Sequence, residues 1–352
     1  MSTIGQRKAD HLALCATDEV AFRDKTTLFE QVRLVHDALP DLDAEALDTT
    51  VTILGKKLRA PIVIAAMTGG TEEASRINHE LASIAEERGY GFGLGSQRAM
   101  HVRTETKGTY AVRDVAPTTL VLGNVGVVQA RAMKTSEVEA LARGVGADAL
   151  CVHLNPAMEL VQPGGDRDFR GGLDTIARLV KELPLPVVVK ETGSGISRSV
   201  ASRVREVGVR HVDVSGAGGT SWVAVETKRA EAAQDHAARA LGEALWDWGI
   251  PTAASVALLA PLGFDTLIAT GGVFTGVDVA RAIALGATAG GIARPALKAL
   301  TAGGRAGAVS FFEGVERELR ALMLLTGSRD LAALRKAPRI VGGELRLWID
   351  QG

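Results

Sequence analysis

Short apolar segments recur at regular intervals along the chain from residue 61 onward. They predict strands at residues 61–67, 90–94, 119–122, 149–154, 186–189, 211–214, 266–269 and 288–292. Amphipathic stretches between them predict helices at 74–88, 136–145, 173–183, 197–207 and 277–285. Eight short strands that alternate with helices indicate an α/β fold, a (β/α)8 TIM barrel. A doubly wound open sheet is the alternative, which we disfavour because the series reaches eight strands and no charged linker divides it.

The segments on either side of this series have weaker patterns. Residues 18–37 have helical character, and residues 49–59 alternate as in a hairpin that plugs the bottom of a barrel. The long connection at 216–250 contains Trp222, Glu226, Trp246 and Trp248 and is typical of a lid. We therefore predict an N-terminal extension with a capping hairpin that closes over the barrel (1–60), the barrel itself (61–305), and a C-terminal helix and tail that pack on it (306–352).

Composition and charge narrow the class of protein. Apolar residues make up 46% of the 352 residues but aromatic residues only 4%, so the core must consist mainly of small aliphatic side chains. A net charge of −1 provides no general attraction to nucleic acid or to an anionic membrane. Cys15 and Cys151 are far apart, which favours reduced thiols over a disulfide or a zinc site. Without a signal peptide or a long apolar run, we expect a cytoplasmic protein with no membrane span.

Each predicted strand ends in a cluster of polar residues or glycines. The clusters lie at 67–70, 95–98, 123–126, 153–155, 190–193, 215–220, 271–272 and 293–294. Because the carboxyl ends of the barrel strands meet at one rim, we expect an active site at that face. The stretch 151–169 stands out, since a buried strand ends there in His153 and Asn155 and is followed by Glu159.

Two of these clusters indicate a phosphorylated cofactor or substrate. Gly271 and Gly272 follow the seventh strand, and Ala293 and Arg294 follow the eighth, where backbone N–H groups bind phosphate in many barrels. Tight loop packing is the alternative explanation for the glycines. Lys190 ends the fifth strand, where its ammonium would offset negative charge on a cofactor ring or form a Schiff base as in aldolases.

Two further groups have two interpretations each, and a third has one. Glu159 is a candidate Mg²⁺ ligand, if substrate phosphates and water complete the coordination, or a solvent-facing loop carboxylate. Trp222 and Glu226 share one face if their segment is helical, where they would stabilise a carbocation-like centre and supply a proton, or else pack in a lid. The basic cluster Arg7, Lys8 and His11, on or beside a short turn, is on spacing alone an ordinary solvated face.

A series of motifs resembles a known family. RKADHL, AAMTGG, GLGSQR, GNVG, HLNP, PGGDRDF, VKETGSGIS, DVSGAGGTSW, IATGG and GIARP occur in this order over residues 6–300. Together they resemble type 2 isopentenyl diphosphate isomerase, the flavin-dependent family. The resemblance implies a barrel with FMN that interconverts isopentenyl and dimethylallyl diphosphate by a 1,3-proton shift. It also implies reduced flavin, NADPH as the reductant, Mg²⁺ on the diphosphate, and a homotetramer or homo-octamer.

The resemblance assigns roles to individual positions. The residues expected to contact FMN are Ala66, Met67, Thr68, Ser96, Asn124, Lys190, Ser215, Thr220, Gly271, Gly272, Ala293 and Arg294. Those expected to bind the substrate are Arg7, Lys8, His11, Ser96, Gln97, Arg98, His153 and Asn155. Glu159 matches the Mg²⁺ ligand, and the catalytic positions are His153, Met158, Trp222 and Glu226.

Two positions depart from the family pattern. Met158 replaces a glutamine that reaches toward the reacting carbons, and Gly164 replaces one acid of a Pro-Glu-Gly-Asp motif. A thioether cannot donate a hydrogen bond and accepts one only weakly. Two alternatives therefore stand beside the isomerase: a homologue with impaired or altered activity on a related prenyl diphosphate, and an FMN-dependent oxidoreductase on the same barrel. Cys151 lies within a strand, which disfavours an oxidoreductase with a nucleophilic loop cysteine.

Overall fold

Eight parallel strands close into a barrel in the computed structural model, which describes residues 4–352. The strands in chain order are β1 (Val32–Leu34), β2 (Val51–Ile53), β3 (Lys56–Leu58), β4 (Ile62–Ile64), β5 (Gly91–Gly93), β6 (Val121–Gly126), β7 (Ala149–Leu154), β8 (Val187–Glu191), β9 (His211–Asp213), β10 (Thr266–Thr270), β11 (Ala289–Ile292) and β12 (Arg339–Val341). Strands β4 to β11 pair in chain order, and β11 closes the barrel against β4. The (β/α)8 prediction is confirmed, and the doubly wound alternative is wrong.

Helices occupy the connections between the strands. They are α1 (Ile4–Cys15), α2 (Glu72–Arg88), α3 (Arg98–Val102), α4 (Val127–Ala132), α5 (Thr135–Gly144), α6 (Pro156–Val161), α7 (Gly172–Glu182), α8 (Arg198–Glu206), α9 (Trp222–Ala232), α10 (His236–Ala244), α11 (Thr252–Leu259), α12 (Gly276–Ala284), α13 (Arg294–Leu325), α14 (Leu331–Lys336) and α15 (Gly343–Gln351). The five helices predicted between strands form within two residues of the predicted bounds. No helix of residues 4–352 is long and apolar enough to cross a membrane.

The hairpin of β2 and β3 closes the amino-terminal end of the barrel. Ile53 and Leu58 are almost fully buried and pack against Val63, Leu120 and Val188 inside the barrel. Strand β1 pairs antiparallel with β12, so the N-terminal extension and the C-terminal tail are hydrogen-bonded to each other. The hairpin therefore lies at the end of the barrel opposite the carboxyl rim and leaves that rim open for a site.

The helix expected within residues 18–37 does not form. The backbone N–H groups of Arg23 and Asp24 donate to the Asp247 carboxylate at 2.9 and 3.0 Å, and Leu28 adopts a positive φ of 61°. These donors are therefore satisfied by a residue more than 200 positions away rather than by a helix. The helix of this region is α1, which lies earlier in the chain.

The barrel's last connection continues into α13, which crosses the domain boundary expected between residues 305 and 306. Gly304, beside that boundary, has non-helical φ and ψ of 60° and −159° and kinks the helix. The C-terminal half of α13 buries Phe312, Leu319 and Met323 against the core. The boundary thus coincides with a bend within one packed helix.

Candidate active site

A cavity lies at the carboxyl ends of the barrel strands. Among the predicted site residues, those that line it are Arg7, Lys8, His11, Ala66, Met67, Ser96, Arg98, Asn124, His153, Asn155, Met158, Glu159, Lys190, Ser215, Thr220, Trp222, Gly271, Gly272, Ala293 and Arg294. The contributors come from α1, from α6, from α9 and from the ends of the barrel strands. The eight strand ends therefore converge as the sequence pattern indicated.

Three predicted site residues lie behind this lining. Gln97 is fully buried: its Oε1 accepts from the Asn124 N–H at 3.0 Å, and its Nε2 donates to the Leu141 carbonyl at 2.8 Å. Thr68 is 2% exposed and Glu226 is 0% exposed. Gln97 thus supports the end of β6, and the expected ligand contacts of all three residues stay predictions.

The basic cluster near the N-terminus lies on α1, and the helix places it against the cavity. Arg7 and Lys8 line the cavity, and His11 is 8% exposed, so the interpretation as a solvated face is wrong. Burial, followed by the charge of Arg7, lowers the pKa of Lys8 to about 8. Among residues 4–352, the Arg7 Nε is buried with no hydrogen-bond partner. These features suit the binding of an anion under α1.

Glu226 lies beneath α1 and contacts it directly. Its Oε1 is 2.8 Å from His11 Nε2, and its Oε2 accepts from Arg229 Nη1 at 2.6 Å. Burial opposes its ionisation, but the hydrogen bonds and charges of His11 and Arg229 lower the pKa of Glu226 overall. Trp222, one turn earlier on α9, meets the His11 ring edge-on at 5.2 Å between centroids. Trp222 and Glu226 do share a helix face, and both contact the His11 ring.

His153 is a neutral imidazole in this arrangement. Its Nδ1 is 2.8 Å from Asn124 Oδ1, while Asn124 Nδ2 donates to the Leu94 carbonyl at 3.1 Å. This network assigns the proton to Nδ1 and leaves Nε2 as an acceptor. Burial, then the charges of Lys8, Lys190 and Arg98, lower the pKa of His153 to about 3. The positive charge of the cavity therefore comes from arginine and lysine.

Glu159 is buried and fixed by three donors. Asn155 Nδ2 donates to its Oε1 at 2.8 Å, and Gln162 Nε2 and the Asp166 N–H donate to its Oε2 at 3.2 and 2.8 Å. The interpretation as a solvent-facing carboxylate is wrong, because the residue is 6% exposed. The residues described contain no group of three or more His, Cys, Asp or Glu side chains suited to a metal ion. A cation here would need ligands from a substrate or water, as Mg²⁺ usually has.

Lys190 and Asp213 form a buried ion pair on neighbouring strands. Their Nζ and Oδ2 atoms are 2.6 Å apart, and each side chain is 7% exposed. They face each other because β8 and β9 pair in the register Lys190↔Asp213. Sequence reasoning missed Asp213, although an acid inside an apolar strand next to a buried lysine was the available signal. Asp213 thus engages the Nζ atom that a Schiff base would use, which favours a role for Lys190 in charge neutralisation.

The residues beneath and beside the cavity fit a flat phosphorylated cofactor. Within residues 4–352, Thr68 Oγ1, Thr270 Oγ1 and Arg294 Nη1 are buried atoms with no hydrogen-bond partner. Gly271 and Gly272 adopt φ of 101° and 68°, a region that side chains avoid. Any Cβ there would also collide with the neighbouring 216–218 backbone. Thr270, which also lines the cavity, was missed by sequence reasoning because it lies at a strand end among glycines.

Comparisons with known proteins agree with this geometry. The sequence model of the FMN-dependent dehydrogenase family matches residues 2–158 and 165–340, and its match is interrupted at the segment that carries Glu159 and Gln162. A protein described as a lactate oxidase from Pediococcus acidilactici has a TM-score of 0.69 at 16% identity, over 97% of this chain and 96% of its own, and shares the fold. A mandelate oxidase variant gives 0.65 at 19% identity over 96% and 94%.

Sequence relatives are much more similar. The isopentenyl-diphosphate delta-isomerase of Methanothermobacter thermautotrophicus is 44% identical over 99% of this chain and 96% of its own length. The protein of the same name from Pyrococcus abyssi is 41% identical over 98% and 94%. The chain therefore belongs to the FMN-dependent dehydrogenase family and, within it, to the group of isopentenyl-diphosphate delta-isomerases.

Proposed function

We propose that this chain interconverts isopentenyl and dimethylallyl diphosphate with reduced FMN and Mg²⁺, and that NADPH supplies the reducing equivalents. The observation that supports this most is a single cavity in which cationic residues of α1 face Glu159, Trp222 and a glycine-lined phosphate cradle. An oxidoreductase has less support, because the relatives that are 41% and 44% identical over nearly the full chain are named isopentenyl-diphosphate delta-isomerases.

The diphosphate end of the substrate meets the cationic residues. Arg7, Lys8 and Arg98 balance its charge, since guanidinium and ammonium groups bind phosphate oxygens strongly in a partly buried site. Glu159 would hold a Mg²⁺ ion that neutralises charge on the diphosphate, and Asn155 orients that carboxylate through its hydrogen bond. Neutral His153 adds no charge to the site, and its Nε2 can accept a hydrogen bond from water or from a protonated substrate oxygen.

The cofactor residues form the floor of the same cavity. Lys190 would offset negative charge on the cofactor's ring system, Gly271, Gly272 and Arg294 would hold its phosphate, and the unpartnered hydroxyl groups of Thr68 and Thr270 would bind its polar atoms. Reduced FMN, when bound, supplies the group that exchanges protons with the allylic carbons. Trp222 packs beside the hydrocarbon end and excludes water from it.

Anaerobic incubation of the purified protein with reduced FMN, Mg²⁺ and isopentenyl diphosphate tests the proposal. We expect dimethylallyl diphosphate as the product and an FMN spectrum on the protein. A protein that binds no FMN contradicts the proposal outright. A protein that binds FMN but converts only another allylic or homoallylic diphosphate supports the alternative that Met158 raises, namely an altered substrate.

The titration of Lys8 predicts a pH dependence of diphosphate binding. Because the pKa of Lys8 is lowered to about 8, the ammonium form that attracts an anion is lost as pH rises through that value. We expect the affinity for pyrophosphate to fall about tenfold one pH unit above it, relative to the fully protonated enzyme. Calorimetric titration from pH 7 to 9 measures this. In Lys8→Arg the guanidinium stays protonated, so a fall of the same size in that variant contradicts the assignment.

Replacing Glu159 by glutamine tests the metal assignment. The amide cannot supply the negative charge that attracts Mg²⁺, so the Mg²⁺ concentration for half-maximal activity should rise about tenfold or more. Asp168→Asn is the matched control, because Asp168 lies in the same segment but is exposed and paired with Arg170. A Mg²⁺ titration of Glu159→Gln that superimposes on that of the control rejects the ligand role.

A further inference from the structure

Arg229 joins the N-terminal helix to the buried carboxylate of the site. Its Nη1 donates to Glu226 Oε2 at 2.6 Å, and its Nε donates to Asp10 Oδ2 at 3.2 Å. Next to Asp10 on α1, His11 reaches the other oxygen of Glu226 at 2.8 Å. We call Asp10, His11, Glu226 and Arg229 the α1 clasp. It connects two elements more than 200 residues apart in the chain.

The clasp is buried at Glu226 and partly buried at Asp10, so solvent screens its charged contacts less than those of surface ion pairs. The side chains of Arg229 and Glu226 are 11% and 0% exposed, and that of Asp10 is 32% exposed. Gln6 donates to the second oxygen of Asp10 at 2.9 Å, which orients that carboxylate along α1. Breaking the clasp at Arg229 would leave Glu226 as a buried carboxylate with His11 as its remaining clasp partner.

The two ends of α1 are attached differently. Leu14 and Cys15, at its C-terminal end, pack with Val20, Trp222 and Trp246 in an apolar cluster. The cavity residues Arg7 and Lys8 lie one turn before the clasp, toward the N-terminal end. Apolar contacts therefore anchor one end, while the charged contact through Asp10 sets the rotation and height of the end that faces the cavity.

We propose that Asp10 and Arg229 are positioning residues that hold α1 closed over the substrate diphosphate, so that Arg7, Lys8 and His11 bind it together. This inference rests on the proposed prenyl diphosphate substrate. Closure of α1 also depends on the ionised state of Glu226, because the Arg229 guanidinium donates to the carboxylates of both Asp10 and Glu226. A loosened clasp should mainly weaken diphosphate binding and raise KM, with a smaller effect on kcat.

Pyrophosphate binding to the FMN-loaded enzyme, measured by calorimetry, tests the inference without turnover. We expect Asp10→Asn to weaken binding about fivefold and Arg229→Gln about tenfold. The double variant should match Arg229→Gln alone, because the Asp10–Arg229 contact that Asp10→Asn weakens is already lost in Arg229→Gln. Arg229→Lys should recover part of the affinity, since an ammonium reaches one carboxylate but not both. Lys228→Gln is the control: it removes the same charge from α9, where Lys228 contacts Glu19 and Glu231 only at 3.7 and 3.9 Å.

The outcomes separate the two proposals. If Asp10→Asn and Lys228→Gln both bind pyrophosphate like the wild type in an enzyme that isomerises, the clasp inference is overturned and the function stands. If the wild type binds pyrophosphate but isomerises no prenyl diphosphate, the proposed function fails, and the variants still decide the clasp. If Arg229→Gln does not fold, the test rests on Asp10→Asn, for which the changes in KM and kcat are compared. An unchanged KM with a reduced kcat in that variant also counts against closure.

Discussion

Replacing Met158 by glutamine is expected to raise kcat for isopentenyl diphosphate about 100-fold. Met158 lies on α6 and lines the cavity beside Glu159. We predict that an amide at this position would donate and accept hydrogen bonds and orient water next to the substrate, whereas a thioether donates none. Because the gain arises at the reacting end, KM should change little. Initial rates under anaerobic conditions with reduced FMN measure both constants.

A second variant separates polarity from shape. Met158→Leu keeps an apolar side chain of similar volume, so its kcat should stay near that of the wild type. If the glutamine and leucine variants have equal rates, the missing amide does not limit the reaction. In that case we infer that Gln162 supplies the amide that Met158 lacks. Gln162 lies four residues further on, lines the same cavity and donates to Glu159 at 3.2 Å.

The barrel and the convergence of its site were accessible from sequence because both depend on local pattern. Each strand is a short apolar run, and the closed parallel topology then brings His153, Lys190 and Gly271 to one rim without any further information. The hairpin at β2 and β3 was accessible for the same reason. Its alternation places Ile53 and Leu58 on the face that enters the barrel.

The contacts of α1 with the cavity were not accessible from the residue pattern, because they join distant segments of the chain. Helix α1 mixes polar and apolar residues, and its buried residues are the polar His11 next to the apolar Leu12. Its partners, Glu226 and Arg229, follow more than 200 residues later. The residue pattern therefore favoured a helix within residues 18–37. Two backbone N–H groups of that segment instead donate to Asp247.

Charge distribution explains how a chain with a net charge of −1 presents an anion site. Arg7, Lys8 and Arg98 converge on the cavity, while the acids nearest to them are already engaged: Glu226 with His11 and Arg229, and Glu159 with three donors. Total charge sums over the whole surface and cannot report such a local excess. Only the fold decides which charges share the cavity.

Removing the positive charge of Lys190 should destabilise the apoprotein by about 3 to 5 kcal/mol, because Asp213 would remain buried without its cation. The free energy of unfolding of Lys190→Met, from urea titration, measures this. Arg346→Met is the control for breaking an ion pair. Its partner, Asp350, lies 2.8 Å away on α15, both side chains are exposed, and the loss should stay below about 1 kcal/mol.

The double variant Lys190→Met/Asp213→Asn separates the stability of the pair from its use at the cofactor site. The introduced asparagine would carry no charge and still accept from the Ser215 N–H, as Asp213 does at 3.2 Å, so most of the lost stability should return. FMN affinity, followed by flavin fluorescence, should not return, because no cation faces the ring. Recovery of both properties would mean that Lys190 serves only to neutralise Asp213. Recovery of neither would mean that the pair supports the barrel through its geometry rather than its charge.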